Sequence, residues 1–443
     1  MLRLKSENQK HSCKLQKMRA SEIHKRTKEK PIMNIVMIGP AGRGGANKRH
    51  AELLKGLLER GWNVDQFLHA YVVDELKHRR LKTHRLLLAR ASEAQHGKFH
   101  HFPGPLLRYT QLFFFILHVC KRKRVDVLYS LALVDGFVCS LVKSFIDGPK
   151  VIVALREDTI NGYRLLSKRT ENFSTRLRLT IYIRILRFLE KTTLKTADLI
   201  IFNSVSNKKA ITQRAGFKES EKATVIYNNI NPSWVKENKH KMVEEVDLLK
   251  NVANKKIVLG FVGNLYVEKG LLCLIRAFKL IRKELPKSIL VIVGEGSDGV
   301  LLRKLVKKLE LQSSVIFTGW VENPYPYYKG FDLFVFPSIN EGFANVILEA
   351  LYYGTPVIAS DHGPNVEALK YNDLLFRKEN PRELADKVIE TFKDVQRYET
   401  IKALCKKRKR TFEFDWRRKM TDPIITLTTK TNTKRLSFSR NMS

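Results

Sequence analysis

Paired cysteines are missing from this sequence. The 443 residues include five cysteines scattered along the chain without paired spacing, namely Cys13, Cys120, Cys139, Cys273 and Cys405. A disulfide framework and a zinc site both need cysteines that recur at short intervals, so this spacing excludes both. We therefore expect a protein of a reducing compartment, the cytoplasm.

An apolar leader and a membrane-length apolar run are also missing. Residues 1–32 carry ten basic and three acidic side chains and no apolar core, so they do not resemble a signal peptide. We expect them to form a basic, disordered tail, which makes Met33 an alternative start. The run over 112–120 is too short to span a bilayer, and the run over 125–142 contains two Asp residues. We interpret these two runs as a buried strand and helix.

Acidic residues are scarce relative to basic ones, and the formal net charge is +37. Residues 406–443 hold twelve basic and three acidic side chains, so the two ends together account for less than half of this excess. Such a chain attracts polyanions, of which nucleic acid and anionic membrane are the obvious candidates. Zinc-finger spacing, an aromatic RNA-binding signature and a leucine-zipper repeat are all missing, so we expect no specific nucleic-acid partner.

Two segments, 106–124 and 175–195, mix bulky apolar residues with basic ones. This mixture favours contact with an anionic membrane surface. It is equally typical of helices that pack on a sheet and turn a solvated basic face outward. The sequence leaves both interpretations open.

Apolar segments typical of strands alternate with helical segments in both halves of the chain. Buried strands are predicted at 34–39, 125–129, 151–155, 197–204 and 224–230, and then at 257–262, 288–293, 314–318 and 331–338. The alternation predicts an α/β protein with two Rossmann-like, doubly wound domains that face each other across a cleft.

The domain boundaries follow from changes in composition. We predict an N-terminal, acceptor-side domain over 33–230, a charge-rich linker over 231–256 and a C-terminal, donor-binding domain over 257–410. A crossover helix and a polar tail are expected over 411–443. We assign no fold from Thr426 onward, because the sequence there is rich in Thr, Lys and Ser.

The most informative stretch is residues 340–363, NEGFANVILEALYYGTPVIASDHG. It follows a predicted buried strand, and a helix is expected after Glu341, with Asn345 as its cap and Gly354 as its end. Ligands of parallel sheets bind at the carboxyl ends of the strands, and the helix amino terminus there favours a phosphate. A carboxylate repels phosphate but accepts from hydroxyls, so Glu341 and Glu349 suit the two sugar ends of a nucleotide sugar.

The pattern E-G-F-x4-L-E-A, followed by G-T-P-V-I-A-S, resembles the donor-site signature of retaining GT-B glycosyltransferases of family 4. The resemblance extends from about Asn34 to about Trp416 and is most specific in the second half. It implies that Glu341 contacts the transferred sugar and that Glu349 binds the ribose of the nucleotide. The loop residues that it places at the donor are Gly342, Phe343, Ala344 and Asn345.

A second loop, 263–270, has the sequence GNLYVEKG and resembles the family loop G-R-x4-K-G, whose Arg and Lys neutralise the leaving diphosphate. The resemblance implies a catalytic role for Lys269, whereas Asn264 replaces the Arg and removes one charge. Gly44 and Gly45, in the glycine loop after the first strand, are implied to approach the donor phosphate or the acceptor. Glu295 lies in a loop that resembles part of the base pocket.

On the acceptor side, the family often has a His where this chain has Arg156, Glu157 and Asp158. These residues either bind an acceptor hydroxyl or cap the next helix, and the sequence leaves both interpretations open. Glu367 resembles a late Glu of the family and is expected to have a supporting role. An Asp-x-Asp motif is missing, so we expect neither a metal nor a cofactor, with cations and helix amides stabilising the diphosphate.

The resemblance implies a retaining transfer of a sugar from a nucleotide sugar to a hydroxyl of a glycan or lipid-linked acceptor, as in polysaccharide biosynthesis. No side chain is an evident nucleophile, so a same-face displacement, in which the leaving phosphate oxygen takes the acceptor proton, fits better than a covalent intermediate. We expect a cytoplasmic enzyme, peripheral at the inner face of the membrane. Three alternatives stay open: a nucleotide-sugar epimerase of the same fold, a catalytically impaired polyanion-binding protein and a plain nucleic-acid-binding protein.

Overall fold

The computed structural model describes residues 32–39, 45–68, 77–85, 104–218, 222–230 and 257–440. Over these ranges the chain forms two α/β units, each built on one parallel sheet. Nearly all of the predicted tail over 1–32 and the whole predicted linker over 231–256 lie outside the described residues.

The first unit contains a sheet of seven strands within the described ranges. Its strands are β1 (Asn34–Ile38), β2 (Asn63–Leu68), β3 (Leu81–Arg85), β4 (Val127–Ser130), β5 (Lys150–Leu155), β6 (Leu199–Phe202) and β7 (Ala223–Val225). Its helices are α1 (Gly45–Glu59), α2 (Gly104–Arg122), α3 (Leu133–Lys143), α4 (Thr159–Arg169), α5 (Phe173–Thr196) and α6 (Val205–Ala215). The strand order is β3-β2-β1-β4-β5-β6-β7, and neighbours run parallel.

The second unit contains a sheet of six strands, in the order β10-β9-β8-β11-β12-β13. These are β8 (Ile257–Val262), β9 (Ser288–Val293), β10 (Val315–Gly319), β11 (Leu333–Phe336), β12 (Val357–Ser360) and β13 (Leu375–Phe376). The α-helices that follow β8 are α7 (Leu271–Glu284), α8 (Gly299–Lys308), α9 (Tyr325–Gly330), α10 (Asn345–Tyr353), α11 (Gly363–Leu369), α12 (Pro381–Lys393), α13 (Val395–Thr411) and α14 (Trp416–Arg440). Short 3-10 helices occupy Val267–Lys269 and Asn372–Leu374.

Both sheets are covered by helices, and this explains their continuous apolar strands. Strand β5, for example, has the sequence KVIVAL, and its last five residues are buried. In the first sheet the strand order reverses between β1 and β4, and in the second it reverses between β8 and β11. Such switch points open a crevice at the carboxyl ends of the strands, where α/β proteins bind ligands. The prediction of two doubly wound units is confirmed.

Helix α14 follows the second unit in sequence but packs on the first. Trp416, Met420 and Ile424 are buried in a core cluster with side chains of α1 and β1, and Arg417 donates to Glu52 at 2.9 Å. The expectation of no fold from Thr426 onward is wrong, because the helix continues to Arg440. Threonine hydroxyls inside α14 donate to carbonyls one turn earlier, so the polar composition is compatible with a helix.

The two apolar runs of the first half belong to elements that pack in the core of the first unit, although Phe114 and Phe115 of the first run are 60% and 39% exposed. Residues 112–120 lie within α2, and residues 125–142 cover β4 and most of α3. Across the described part of the chain, no helix combines the length and the apolar content needed to cross a bilayer.

Candidate active site

The loop after β11 brings the two units into contact. Strand β11 is a buried LFVF run, and the chain then passes through Glu341 and Gly342 before α10 begins. A Cβ on Gly342 would lie 1.5 Å from the carbonyl oxygen of Arg156, which belongs to the first unit. Only glycine lets the two backbones approach this closely.

The amino terminus of α10 faces this interface. Its N-cap residue, Ala344, makes no side-chain capping hydrogen bond. The first N–H groups of a helix have no intrahelical acceptor, and a capping side chain would compete with a ligand for them. An alanine at this position therefore suits a phosphate-binding helix end.

Asn345 was predicted to cap α10, and this prediction is wrong. Asn345 is the first helical residue, and its Oδ1 accepts from Arg49 Nη2 at 3.0 Å and from Asn228 Nδ2 at 2.8 Å. The buried Arg49 guanidinium also donates to the side-chain and main-chain oxygens of Asn229, at 2.6 and 2.7 Å. A charged donor from α1 thus takes the amide oxygen that local capping would have used.

Glu341 and Lys269 form an ion pair at the base of the loop. Lys269 Nζ lies 2.5 Å from Glu341 Oε1, and Ser338 Oγ donates to the same oxygen at 3.3 Å. Burial by itself would lower the pKa of Lys269, but the carboxylates of Glu341, Glu268 and Glu157 together outweigh it, so the pKa is raised. Lys269 is therefore held as a cation. Gly270 follows it at φ 69°, and its Cβ would collide with the carbonyl of Pro337.

The main chain of Glu341 is held separately from its side chain. Glu341 N–H donates to His362 Nε2 at 3.1 Å, and Asn207 Nδ2 donates to the Glu341 carbonyl at 3.2 Å. His362 must therefore be unprotonated on Nε2. Burial lowers the pKa of His362, which keeps the ring in this neutral form. These contacts fix the point from which the Glu341 carboxylate projects.

Glu349 lies on α10 with both carboxylate oxygens engaged. Oε1 accepts from Lys48 Nζ at 3.2 Å, and Oε2 accepts from the Tyr328 hydroxyl at 2.8 Å. Glu349 is buried, whereas Lys48 reaches it from α1 with its side chain partly exposed. Burial alone would lower the pKa of Lys48, but Glu349 and Tyr325 raise it. The carboxylate predicted to bind ribose thus has a cationic partner from the first unit.

The three acceptor-side candidates play different parts. Asp158 caps α4 by accepting from Asn161 N at 2.9 Å and pairs with Arg214 at 2.7 Å, as the capping interpretation predicts, and it also lines a cavity between the two units. Arg156 donates to the side-chain oxygen of Asn228 and lies over the Trp416 ring at 5.8 Å, and Asn228 in turn donates to the Phe343 carbonyl of the donor loop. Burial lowers the pKa of Arg156 to about 10.

Glu157 is the acceptor-side candidate that faces the Lys269–Glu341 pair. It is exposed in the cleft, yet protein surrounds it closely enough that desolvation raises its pKa. The Lys269 cation opposes this rise and the Glu341 carboxylate adds to it. A carboxyl group with a raised pKa beside the candidate reaction centre is a typical functional-site feature.

The remaining donor candidates are spread around the cleft. Asn264 and Glu295 are exposed on two neighbouring loops, joined by a hydrogen bond from Leu265 N to the Glu295 carbonyl at 2.9 Å. Phe343 is buried against Tyr227, with ring centroids 5.0 Å apart, so any donor contact must come from its main chain. Gly45 begins α1, and Gly44 lies outside the described residues.

A carboxylate of the second unit closes the far side of the interface. Glu367 on α11 accepts from the N–H groups of Val205 and Ser206, at 2.8 and 2.6 Å, and from the Ser206 hydroxyl. These groups lie at the amino terminus of α6, where a negative charge is stabilised. The interpretation of Glu367 as a supporting residue agrees with this contact.

A polar cavity of about 500 Å³ opens beside His362, between the two units. Its lining from the first unit includes Asp158, Asn161, Arg164 and Ser206, and from the second Asn340 and His362. Amides, a hydroxyl and a neutral imidazole are suited to hydrogen bonds with hydroxyl groups. Within the described residues, no group of three or more His, Cys, Asp or Glu side chains could hold a metal ion.

Sequence reasoning missed the contribution of α1 and of His362. Lys48 and Arg49 follow the glycine loop in the run NKRH, and their spacing gave no sign that they reach residues about 300 positions later. His362 is part of the motif over 340–363, and its position directly before Gly363 was the one signal in the sequence that could have marked it as a site residue. Lys48 and Arg49 connect the units across the cleft, whereas His362 holds the main chain of Glu341 within the second unit.

Two family models match the chain. One, described as Glycosyltransferase Family 4, covers residues 43–234, and the other, described as Glycosyl transferases group 1, covers residues 245–408. The chain belongs to this glycosyltransferase family. Lys48 lies in the first match, and Lys269, Glu341 and Glu349 lie in the second. The family resemblance inferred from the two loops is confirmed.

Members of the family from several organisms resemble this chain. It is 33% identical over 193 residues to an uncharacterized glycosyltransferase of Methanocaldococcus jannaschii, which is 41% of this chain and 44% of the relative. It is 27% identical over 342 residues to the N-acetylgalactosamine-N,N'-diacetylbacillosaminyl-diphospho-undecaprenol 4-alpha-N-acetylgalactosaminyltransferase of Campylobacter jejuni, which is 76% of this chain and 83% of the relative. The match thus spans less than half of the first relative and most of the second.

Solved structures of glycosyltransferases share the fold. A sucrose-phosphate synthase from Thermosynechococcus elongatus has a TM-score of 0.68 at 20% identity, over 92% of this chain and 100% of that chain. HepE of Anabaena in complex with UDP-glucose has a TM-score of 0.61 at 21% identity, over 91% of this chain and 100% of that chain. At these identities the likeness concerns the fold alone, and it confirms the predicted GT-B architecture.

Proposed function

We propose that this family member transfers a sugar from a nucleoside-diphosphate sugar to a hydroxyl of a lipid-linked or polysaccharide acceptor, with retention and without a metal. The observation that carries the proposal is the Lys269–Glu341 ion pair, 2.5 Å long, beside the uncapped amino terminus of α10. It combines a cation and the main-chain amides of a helix amino terminus for a diphosphate with a carboxylate for sugar hydroxyls.

Lys269 and the α10 amides stabilise the diphosphate as it departs. In the ligand-free protein Lys269 neutralises Glu341, and a diphosphate entering the cleft competes for that cation. Glu341 is then released to accept hydrogen bonds from the hydroxyls of the transferred sugar. Charge on the diphosphate grows as the bond to the sugar breaks, so these contacts strengthen in the transition state and lower the barrier.

The transfer is a same-face displacement. The acceptor oxygen forms a bond to the anomeric carbon on the side from which the phosphate oxygen leaves. The bonding electrons stay with that phosphate oxygen, which takes the proton of the acceptor hydroxyl. Glu157, exposed in the cleft with a raised pKa, hydrogen-bonds the acceptor hydroxyl and orients it. The polar cavity beside His362 receives the rest of the acceptor sugar.

At the nucleotide end, Glu349 exchanges partners in the same way. Ribose hydroxyls donate to Glu349 Oε1 in place of Lys48, while Tyr328 keeps Oε2 in position at 2.8 Å. The UDP-glucose complex of Anabaena HepE supports a uridine nucleotide as the donor. The Campylobacter jejuni relative, whose name gives a diphospho-undecaprenol-linked sugar as its acceptor, supports a lipid-linked acceptor.

A donor screen followed by a transfer assay tests the proposal. Thermal unfolding with a panel of nucleotide sugars should reveal one that raises the melting temperature, because a ligand of the native state stabilises it. With that donor and an undecaprenyl-diphosphate-linked sugar, NMR of the product should show the donor's anomeric configuration, and EDTA should leave the rate unchanged.

Variants assign the activity to the site. Glu341→Ala should abolish transfer, whereas Glu399→Ala, a matched change on the exposed surface of α13, should not. Inversion at the anomeric carbon, or a metal requirement, would contradict the mechanism. Conversion of the nucleotide sugar without any acceptor would identify an epimerase instead.

A further inference from the structure

Helix α5 exposes an unusual row of large apolar side chains. Phe173, Leu177, Ile181, Ile185 and Phe188 are each between 46% and 78% exposed. Their spacing of four, four, four and three residues places them along one side of the helix. From Phe173 to Phe188 the row, called here the α5 stripe, is about 22 Å long at the usual helical rise.

The α5 stripe is not the helix's core-facing side. The buried residues of α5 include Leu179, Leu186, Glu190 and Leu194, which lie on the opposite side, and two of these leucines belong to the core beneath the first sheet. The core of the first unit is therefore complete without the stripe. A contiguous exposed apolar row of this size marks an interaction surface.

The charges beside the α5 stripe are basic. The basic residues of α5 are Arg176, Arg178, Arg184, Arg187, Lys191 and Lys195. Its one acidic residue, Glu190, is buried and pairs with Arg214 at 2.6 Å. On a helical projection Arg184 and Lys191 lie among the apolar residues, so a partner meets both kinds of group at once.

Neighbouring helices extend this surface. Helices α2 and α3 bury side chains in the same core cluster as α5, so all three cover one face of the sheet. Phe114 on α2 and Phe145, in the turn after α3, are 60% and 64% exposed, and α2 ends in Lys121 and Arg122. The first unit therefore has an outer face that is both apolar and basic.

We propose that the α5 stripe is a membrane-docking surface, with α5 lying flat on an anionic bilayer. Phe and Ile side chains enter the boundary of the acyl chains, and the flanking Arg and Lys side chains contact anionic headgroups. A second copy of this chain fits less well, because facing α5 helices would bring two basic rows together without acidic partners. The inference rests on the proposed function, because an enzyme bound to the membrane surface is close to the lipid-linked acceptor that we propose for it.

Vesicle binding tests the surface without any donor or acceptor, so its outcome is independent of the catalytic proposal. The full-length protein is sedimented with vesicles of phosphatidylcholine, alone or mixed with phosphatidylglycerol. Binding should require phosphatidylglycerol and weaken with salt. Ile181→Asp and Phe188→Asp should each lower the partition coefficient by about tenfold or more. Each removes an apolar side chain that enters the bilayer on binding, and each adds a negative charge next to the anionic headgroups.

Matched controls come from the second unit. Val300→Asp and Val395→Asp introduce the same side chain at positions that are 67% and 79% exposed, and they should leave vesicle binding unchanged. Thermal unfolding checks that all four variants fold. Equal losses in stripe and control variants, or full binding by both stripe variants, would overturn the proposal. So would a dimer in solution that Ile181→Asp dissociates, since the stripe would then serve a protein contact.

Discussion

Replacing Lys269 by alanine separates the structural role of the ion pair from its catalytic role. The Glu341 carboxylate, at 15% exposure, would lose a cation that lies 2.5 Å away. Breaking a fully buried pair costs about 3–5 kcal/mol, but here the Ser338 hydroxyl and some water still reach the carboxylate, so we expect about 2 kcal/mol. That loss lowers the melting temperature of the second unit by about 4–8 °C.

The effect on the reaction should be larger. Lys269→Ala removes a charge-assisted contact that strengthens as the diphosphate departs, and this is worth about 3 kcal/mol, or about a hundredfold in kcat/KM. The double variant Lys269→Ala/Glu341→Ala leaves no unpaired charge, so its stability should recover toward that of the wild type. Its activity should stay as low as that of the worse single variant.

Steady-state kinetics and thermal unfolding of the four proteins of this cycle provide the measurement. The raised pKa of Lys269 fixes the pH dependence of the stability difference. Because the pKa of Lys269 is higher in the folded than in the unfolded state, protonated Lys269 stabilises the fold. This stabilisation is fully present below the unfolded-state pKa, near 10.5, and is lost as the pH rises through the folded-state pKa. The difference between wild type and Lys269→Ala should thus be constant from pH 7 to pH 9. Wild-type turnover by Lys269→Ala would refute this account of the cleft.

Four further substitutions probe other parts of the site. Glu349→Ala should weaken donor binding about tenfold or more in a calorimetric titration. Lys48→Ala should preserve or tighten donor binding, because Lys48 competes with ribose for the Glu349 carboxylate. Equal weakening by both variants would argue against an exchange of Lys48 for ribose at Glu349. His362→Gln places an amide oxygen near the position of Nε2, so it keeps an acceptor for Glu341 N–H but cannot be protonated. The depressed pKa of His362 contributes stability to the folded state above pH 6.5, and this contribution is lost as the pH falls. Profiles of unfolding and activity against pH should therefore show that the variant is less acid-sensitive than the wild type. Identical profiles would exclude a role for the neutral His362 ring. Asn264→Arg should preserve or tighten donor binding, and a clear loss would mean that this loop lies elsewhere.

Much of the fold could be predicted because its signals are local. The buried runs at 257–262 and 331–338 contain the strands β8 and β11, and the carboxyl ends of neighbouring parallel strands share one edge of the sheet. That geometry alone brings the loops carrying Lys269 and Glu341 together. Their 2.5 Å contact is the outcome of strand order, which periodicity and connection rules can supply.

The parts that could not be predicted depend on distant partners. Asn345 has the side chain of a capping residue, but Arg49 and Asn228 occupy its oxygen. The sequence left two roles open for Asp158, capping a helix or binding an acceptor hydroxyl. In the structure Asp158 caps α4 and also pairs with Arg214, a partner that the sequence did not indicate. The extent of α14 was missed because its stability comes from packing on the first unit and not from composition. In each case a tertiary contact overrides or completes a local preference.

The return of α14 to the first unit has a consequence for how this protein can be divided and how it can move. The chain crosses between the units twice, once after β7 and once before Trp416, so the halves are tethered at two points. Opening of the cleft is then a rotation about those tethers and not a free separation. A fragment that ends before the second unit would also lack Trp416, Met420 and Ile424, and would leave the apolar side chains of α1 and β1 open to water. The first unit is therefore a discontinuous folding unit, completed only by a segment that is synthesised after the whole second unit.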